Sequence, residues 1–203
     1  PLANNPFLNN ENLIGSLWGT HERDEIVKSI RKETIKNENS KYLHLEVSIP
    51  KMDKNIPRIL TVDTGYAHNA FAIALWHYDL QESKLVCDWC DELIPQVNSG
   101  ISYYVNLHKT FENCILKILE KLNIITVIYD RWQSLKELQQ LEDKGVDALN
   151  ISLKYKDFVE IIKPYLEKEN VVLPKSEITF DKFKSDGRLL ENIVKDKPVL
   201  HMG

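Results

Sequence analysis

The spacing of apolar residues along the chain changes period several times, and each change marks an element. Tyr42–Ile49, "YLHLEVSI", alternates apolar and polar positions and predicts a half-buried strand. Three more apolar runs follow, Ile59–Asp63, Phe71–Tyr78 and Lys84–Ile94, joined by the turn-like links "TGYAHN" and "DLQES". Short links of this kind predict an antiparallel meander. The period then lengthens. Leu107, Phe111, Cys114, Ile115, Ile118, Leu119 and Leu122 recur at three- and four-residue steps, which predicts a long helix over Tyr103–Leu122. Ile124–Asp130, "IITVIYD", is short, continuous and rich in β-branched residues, as expected of a fully buried central strand. "SLKELQQLEDKG" reads as a helix ending at Gly145, and "DALNISL" as a strand. "KDFVEIIKPYLEKE" reads as a helix, "VVLP" as a short strand, and "SDGRLLENIVKD" as a helix with Leu189, Leu190, Ile193 and Val194 on its apolar side.

The region before the meander is less regular. Glu22–Lys36 predicts a short helix, with Ile26 and Ile30 on one face and "NENS" breaking it. Pro50–Pro57 reads as a polar loop, and the opening "PLANNPFLNNENLIGSLWGTHERDE" as a connector without sustained periodicity. Three antiparallel strands followed by alternating helices and strands give an α/β fold class with a mixed sheet flanked by helices.

Composition narrows the setting. The chain has 203 residues, of which 43% are apolar and 28% charged, enough for one domain with a sizeable core. A net charge of −4 lowers the expectation of nucleic-acid binding without removing it, because a local basic groove can sit in an acidic chain. Cys87 and Cys90 form a C-x-x-C, but "KLVCDWCDELI" reads as a strand and has no second ligand pair, so the plain reading is two reduced thiols. No signal peptide opens the sequence and no apolar run approaches the length of about 20 residues that spans a bilayer. The expected setting is cytosolic, with no membrane partner.

Two apolar strands end in a carboxylate, "ILTVD" at Asp63 and "TVIYD" at Asp130. Sites in open α/β sheets form at strand ends where connections diverge. If these two strands are neighbours, both carboxylates emerge at one edge and form a hard-ligand site suited to Mg²⁺ or Mn²⁺. A pair of such ions activates water and stabilises the leaving oxygen in phosphodiester hydrolysis. Each aspartate alone is also an ordinary turn former. Gly65, which lets the backbone turn tightly beside a ligand, and "RWQS" after Asp130 favour the functional reading.

"VDTGYAHNAFAIAL" and the stretch from "VIYDRWQS" through "LKYKDFVEIIKPYLEKENVVLP" resemble the nuclease domain of the large terminase subunit of tailed bacteriophages. "PLANNPFL" is similar to the segment that closes the ATPase core of such proteins. The resemblance implies an RNase H-like fold, with 1–56 as the end of the ATPase region and a leading strand and 57–203 as the nuclease domain. It implies Asp63 and Asp130 as catalytic metal ligands, two members of a larger acidic set in that family's pattern, and Mg²⁺ or Mn²⁺, two ions, as cofactor. It further implies double-stranded DNA, the portal protein, the terminase small subunit and an ATPase domain of the same polypeptide as partners. The setting would be the host cytoplasm, with transient docking on the viral procapsid.

Two departures from the family pattern follow. No G-x-x-x-x-G-K-[ST] phosphate-binding loop occurs, so the expectation is an isolated nuclease domain with its linker. The family's third acidic residue has no clear match. It is expected past Gly203, with Asp181, Asp186, Asp196 and His201 as substitutes within the sequence. Arg131 and Lys154 are candidate phosphate contacts, since both follow strand ends on the proposed edge. Glu92 and His68 read as solvated strand-end and loop residues, and Trp132 as a buttress that packs beside the site. The competing functional readings are a non-catalytic module docking the motor on the portal, and a cellular RNase H-like resolvase.

Overall fold

The computed structural model of the chain describes residues 26–67, 69–95, 97–98, 100–130, 135–152, 155–157, 160–161 and 163–173. They divide between two compact units, one spanning Asp24–Tyr78 and Cys87–Ser152, the other Asp79–Val86 with the described residues from 155 onward.

The larger unit is built on two sheets. The strands that carry the candidate carboxylates and their neighbours are β3 (Asp53–Asp63), β4 (Phe71–Asp79, in this unit to Tyr78), β5 (Lys84–Leu93, in this unit from Cys87), β8 (Leu122–Asp130) and β9 (Asp147–Ile151), lying in the order β5-β4-β3-β8-β9. β3 pairs antiparallel with β4, whereas β8 runs parallel to both β3 and β9. This is the mixed sheet expected from the sequence, antiparallel strands continued by parallel ones. Two-residue alternation fixes which face is buried. Leu60 and Val62 of β3 stand opposite Leu75 and Ile73 of β4, and Leu60 and Val62 align with Val127 and Tyr129 of β8. All six are buried and belong to one core cluster. Burying each such side chain is worth roughly 1.5–3 kcal/mol, so this face pins the register.

The helical segment behind the core runs from α1 (Leu107–Thr110) through a π-helical turn (Phe111–Ile115) into α2 (Leu116–Lys121). Asn106 caps its start, accepting a hydrogen bond at 2.9 Å from the Lys109 amide. Lys54 closes its end, donating to the carbonyls of Leu119 and Leu122 at 2.9 and 2.6 Å. Phe111, Cys114, Ile115 and Ile118 all reach the core. The next helix, α3 (Leu135–Glu142), ends as the sequence predicts. Gly145 has φ +75°, its amide donates to Glu142 and the Val146 amide to Leu141, the paired bonds of a Schellman cap.

The second sheet has the order β1-β2-β7-β6, from β1 (Lys28–Asn37), β2 (Ser40–Ser48), β7 (Ile101–Val105) and β6 (Val97–Asn98). It corrects two expectations. Lys28–Asn37 is a strand rather than a helix. Ile26 and Ile30 are four apart, a spacing that is also a multiple of two, and "NENS" is a hairpin turn rather than a break. In that turn the Asn37 side chain accepts from the Asn39 amide at 3.0 Å and the Ser40 hydroxyl at 2.7 Å. Tyr103–Val105 are likewise strand, because β7 pairs in parallel with β2 over Ser40–Leu43, and the helix begins only at Leu107.

Smaller differences concern β3 and β8. β3 already starts at Asp53, within the expected loop, and Pro57 is accommodated where its register against β8 slips. β8 is central, yet its burial alternates, with Ile125 49% exposed, so it is not buried on both faces.

In the smaller unit, β10 (Val171–Val172) pairs parallel with Leu85 and Val86, and α4 (Tyr155–Asp157) and α5 (Lys163–Glu167) occupy part of the predicted helix. No helix among the described residues is long and apolar enough to cross a membrane. The connector at the start and the helix expected over "SDGRLLENIVKD" lie outside the described residues.

Candidate functional site

Asp63 is the last residue of β3 and Asp130 the last residue of β8. The two strands are parallel neighbours, and their final registered pair is Val62 with Tyr129, so the aspartates are the next step on each. Val62 and Tyr129 face the core, which turns Asp63 and Asp130 together onto the opposite face, where both are exposed. Adjacent strands lie about 5 Å apart, so the two carboxylates share one edge of the sheet. The juxtaposition expected from the sequence is therefore present.

The electrostatics of the pair are unfavourable as they stand. The Asp63 carboxyl titrates above the ordinary carboxylate value, first because surrounding protein partly desolvates it and second because Asp130 places a like charge beside it. A cation between the two would relieve that repulsion, and carboxylate oxygens are the donors that hard divalent ions select. The donor set fits such an ion. Among the described residues no group of three or more acidic, histidine or cysteine side chains gathers in one place, so the pair is all that they supply.

The backbone after Asp63 is tightly constrained. A Cβ on Gly65 would lie 2.1 Å from the Asn69 carbonyl oxygen and 2.3 Å from that of Ala70, so the segment closes on itself only with glycine. The Val105 amide donates to the Tyr66 carbonyl at 3.0 Å and ties this loop to β7. Behind Asp130, Tyr129 is buried with its hydroxyl lacking a hydrogen-bond partner among the described residues, and burial pushes its phenol up in pKa.

The other sequence candidates separate. Glu92 sits near the end of β5, two strands from β3, and is half-buried. His68, Arg131, Trp132, Lys154, Asp181, Asp186, Asp196 and His201 lie outside the described residues. Cys87 is buried and Cys90 exposed, both free thiols on β5.

A charged cluster that sequence reasoning missed lies at the other end of β3. The buried Arg58 donates to Asp88 at 3.0 Å and to Asp53 at 2.8 Å, and His77 contacts Asp88 at 2.9 Å. The Arg58 guanidinium, with the Asn55 amide, holds the Asp53 carboxyl below its ordinary pKa. The only sequence signal was an arginine opening an apolar run. The cluster's position away from Asp63 makes it an anchor for the sheet, not part of the carboxylate site.

Comparison with protein-family models and with curated proteins gave no match. Among solved structures the chain is similar to the large terminase of bacteriophage HK97, at 11% identity and TM-score 0.44 over 61% of this chain and 31% of that one. It is similar to a large terminase from a thermophilic bacteriophage, at 15% identity and TM-score 0.48 over 70% of this chain and 36% of that one. It is also similar to the large terminase nuclease from thermophilic phage G20c with bound magnesium, at 14% identity and TM-score 0.43 over 72% of this chain and 68% of that one. The chain spans about a third of the length of the first two. What the chain itself supplies is a mixed sheet with two carboxylates at one strand-end edge.

Proposed function

We propose that the chain is a metal-dependent DNA endonuclease domain of a viral packaging terminase. One observation carries the reading: Asp63 and Asp130 end neighbouring parallel strands in register and on one face. In this reading Asp63 and Asp130 hold a pair of Mg²⁺ or Mn²⁺ ions. The bound ions would supply Lewis-acid activation of water and stabilisation of the leaving oxygen in phosphodiester hydrolysis. The raised pKa of Asp63, to which Asp130 contributes, supports a site whose charge ligand binding would balance. A further ligand would come from Asp181, Asp186, Asp196 or His201, or from acidic residues of a longer polypeptide. Arg131 and Lys154 would orient the DNA backbone through its phosphates.

The choice of a divalent ion follows from the hard oxygen donors that two carboxylates present. The substrate in this reading is double-stranded concatemeric DNA. The partners are the portal protein, the small subunit and an ATPase domain of the same polypeptide, in the host cytoplasm at the procapsid. Plasmid nicking with Mn²⁺ tests the assignment. Wild type should nick, and Asp63→Ala and Asp130→Ala should each lower the rate by at least about two orders of magnitude, the scale of losing a catalytic electrostatic group. Nicking that survives both substitutions overturns the catalytic assignment.

A further inference from the structure

Four residues far apart in sequence meet beside the loop that leaves Asp63. Tyr42 of β2 and Tyr104 of β7 are registered neighbours, with ring centroids 6.4 Å apart in an edge-on arrangement. Tyr66 leans over Tyr104 at 5.6 Å and an interplanar angle of 35°. The Lys36 ammonium sits 4.0 Å from the Tyr104 ring centre and 5.1 Å from that of Tyr42. A groove of about 300 Å³, lined by Tyr42, Tyr66 and Asn106 among others, opens at this cluster. Lys41 adds a second cation, 5.7 Å from the ring centre of Tyr103.

Tyr42 and Tyr104 are half-buried beneath Tyr66 and Lys36. Tyr66 is 41% exposed, and Lys36 is exposed at the end of an edge strand with little buried surface. An exposed aromatic ring backed by further rings and beside an aliphatic-stemmed cation is a combination that binds single-stranded nucleic acid: a base stacks on the ring and a phosphate meets the cation. A duplex would leave the rings unused, because its bases are already stacked. Tyr66 lies three residues after Asp63, which places the two backbones within about 11 Å even if fully extended. The Val105–Tyr66 hydrogen bond fixes that loop to β7, so the platform and the carboxylate edge are held by one segment.

We infer that Tyr42, Tyr66 and Tyr104 with Lys36 form a stacking platform for unpaired nucleotides of a DNA strand opened next to the carboxylates. The substrate class rests on the nuclease reading, but the platform has its own measurement. Binding is followed in EDTA, where no metal-dependent cleavage occurs, by fluorescence anisotropy of a labelled oligodeoxythymidine of about 12 nucleotides, within the usual range of single-strand sites. Three probes are compared: this strand, its duplex, and a sugar-phosphate strand of equal length lacking bases.

The full chain should bind the single strand better than the abasic strand. Tyr66→Leu should weaken single-strand binding by roughly tenfold, the effect of losing one stacked base, while Tyr66→Phe keeps wild-type affinity. Lys36→Gln should weaken both strands alike and flatten the salt dependence. Equal affinity for basic and abasic strands, or unchanged binding by Tyr66→Leu, overturns the platform. Because Tyr66 and Lys36 are exposed, neither substitution threatens folding, and thermal melts check this directly. The two readings fail separately. A chain that nicks plasmid through Asp63 but binds without its rings keeps the nuclease and loses the platform. A chain that binds through its rings but fails to nick plasmid in Mn²⁺ keeps the platform and loses the nuclease.

Discussion

Replacing Asp63 by asparagine should make the metal-free protein more stable. Asp63 and Asp130 are adjacent on parallel strands, and two full charges about 5 Å apart at an effective dielectric near 20 repel by about 3 kcal/mol. Both residues are exposed, so solvent screening reduces this to roughly 1 kcal/mol. Asp63→Asn preserves shape and removes the repulsion, and in a chain of this size that gain corresponds to a melting temperature higher by about 2–4 °C. Divalent ion reverses the order. An ion at about a hundred times its dissociation constant adds about 2.7 kcal/mol to the wild type by mass action, while the variant, having lost a ligand, gains little.

The assay is differential scanning calorimetry of both proteins at neutral pH, in EDTA and in Mn²⁺. The expected result is a crossover, with the variant more stable without metal and the wild type more stable with it. Equal Mn²⁺ shifts in the two proteins would mean that the ion binds elsewhere. A variant less stable than wild type in EDTA would mean that the Asp63 carboxylate makes a structural bond outweighing its repulsion from Asp130. Asp130→Asn gives a companion measurement. It should bring the Asp63 pKa down, but not fully to the ordinary value, because desolvation is the larger of its two causes and remains.

Three further outcomes test the frame that holds the pair. Arg58→Met leaves Asp88, whose side chain is only 3% exposed, without its main cation, and should cost about 3–5 kcal/mol in urea denaturation. Asp53, held below its ordinary value of 3.8 chiefly by Arg58, contributes stability that is complete above that value and lost as pH falls through its folded pKa. Asp53→Asn should therefore flatten the acid limb of the stability–pH curve below about pH 4, and an unchanged limb would refute the pairing. Gly65→Ala forces a Cβ against the Asn69 and Ala70 carbonyls, and should cost about 1–3 kcal/mol and blunt the Mn²⁺-induced rise in melting temperature through displacement of Asp63.

What could be read from the sequence and what could not divide along the range of the interactions involved. "ILTVD" and "TVIYD" carry their own signal, since apolar strands closed by a carboxylate need no distant partner to be recognised, and their register brings the two ends together. Gly145 is legible for the same reason, because a helix cap is settled within about six residues. β1 had no such signal. Most of its positions are exposed, so no apolar face distinguished period two from period four. β7 is indistinguishable by pattern from the following helix, because Tyr103, Leu107 and Phe111 keep a four-residue spacing, while the contact that makes it a strand is with β2, far back in the chain. The aromatic platform depends on those two strands. Lys36, Tyr42, Tyr66 and Tyr104 form no motif in the sequence, and they meet only once the hairpin and the parallel β2–β7 pairing are in place. The carboxylates can thus be found from local pattern, whereas the surface that would present a strand to them exists only through long-range pairing. A substitution that unpairs β7 from β2 should accordingly abolish single-strand binding while leaving the Asp63–Asp130 register, which is set by β3 and β8, in place.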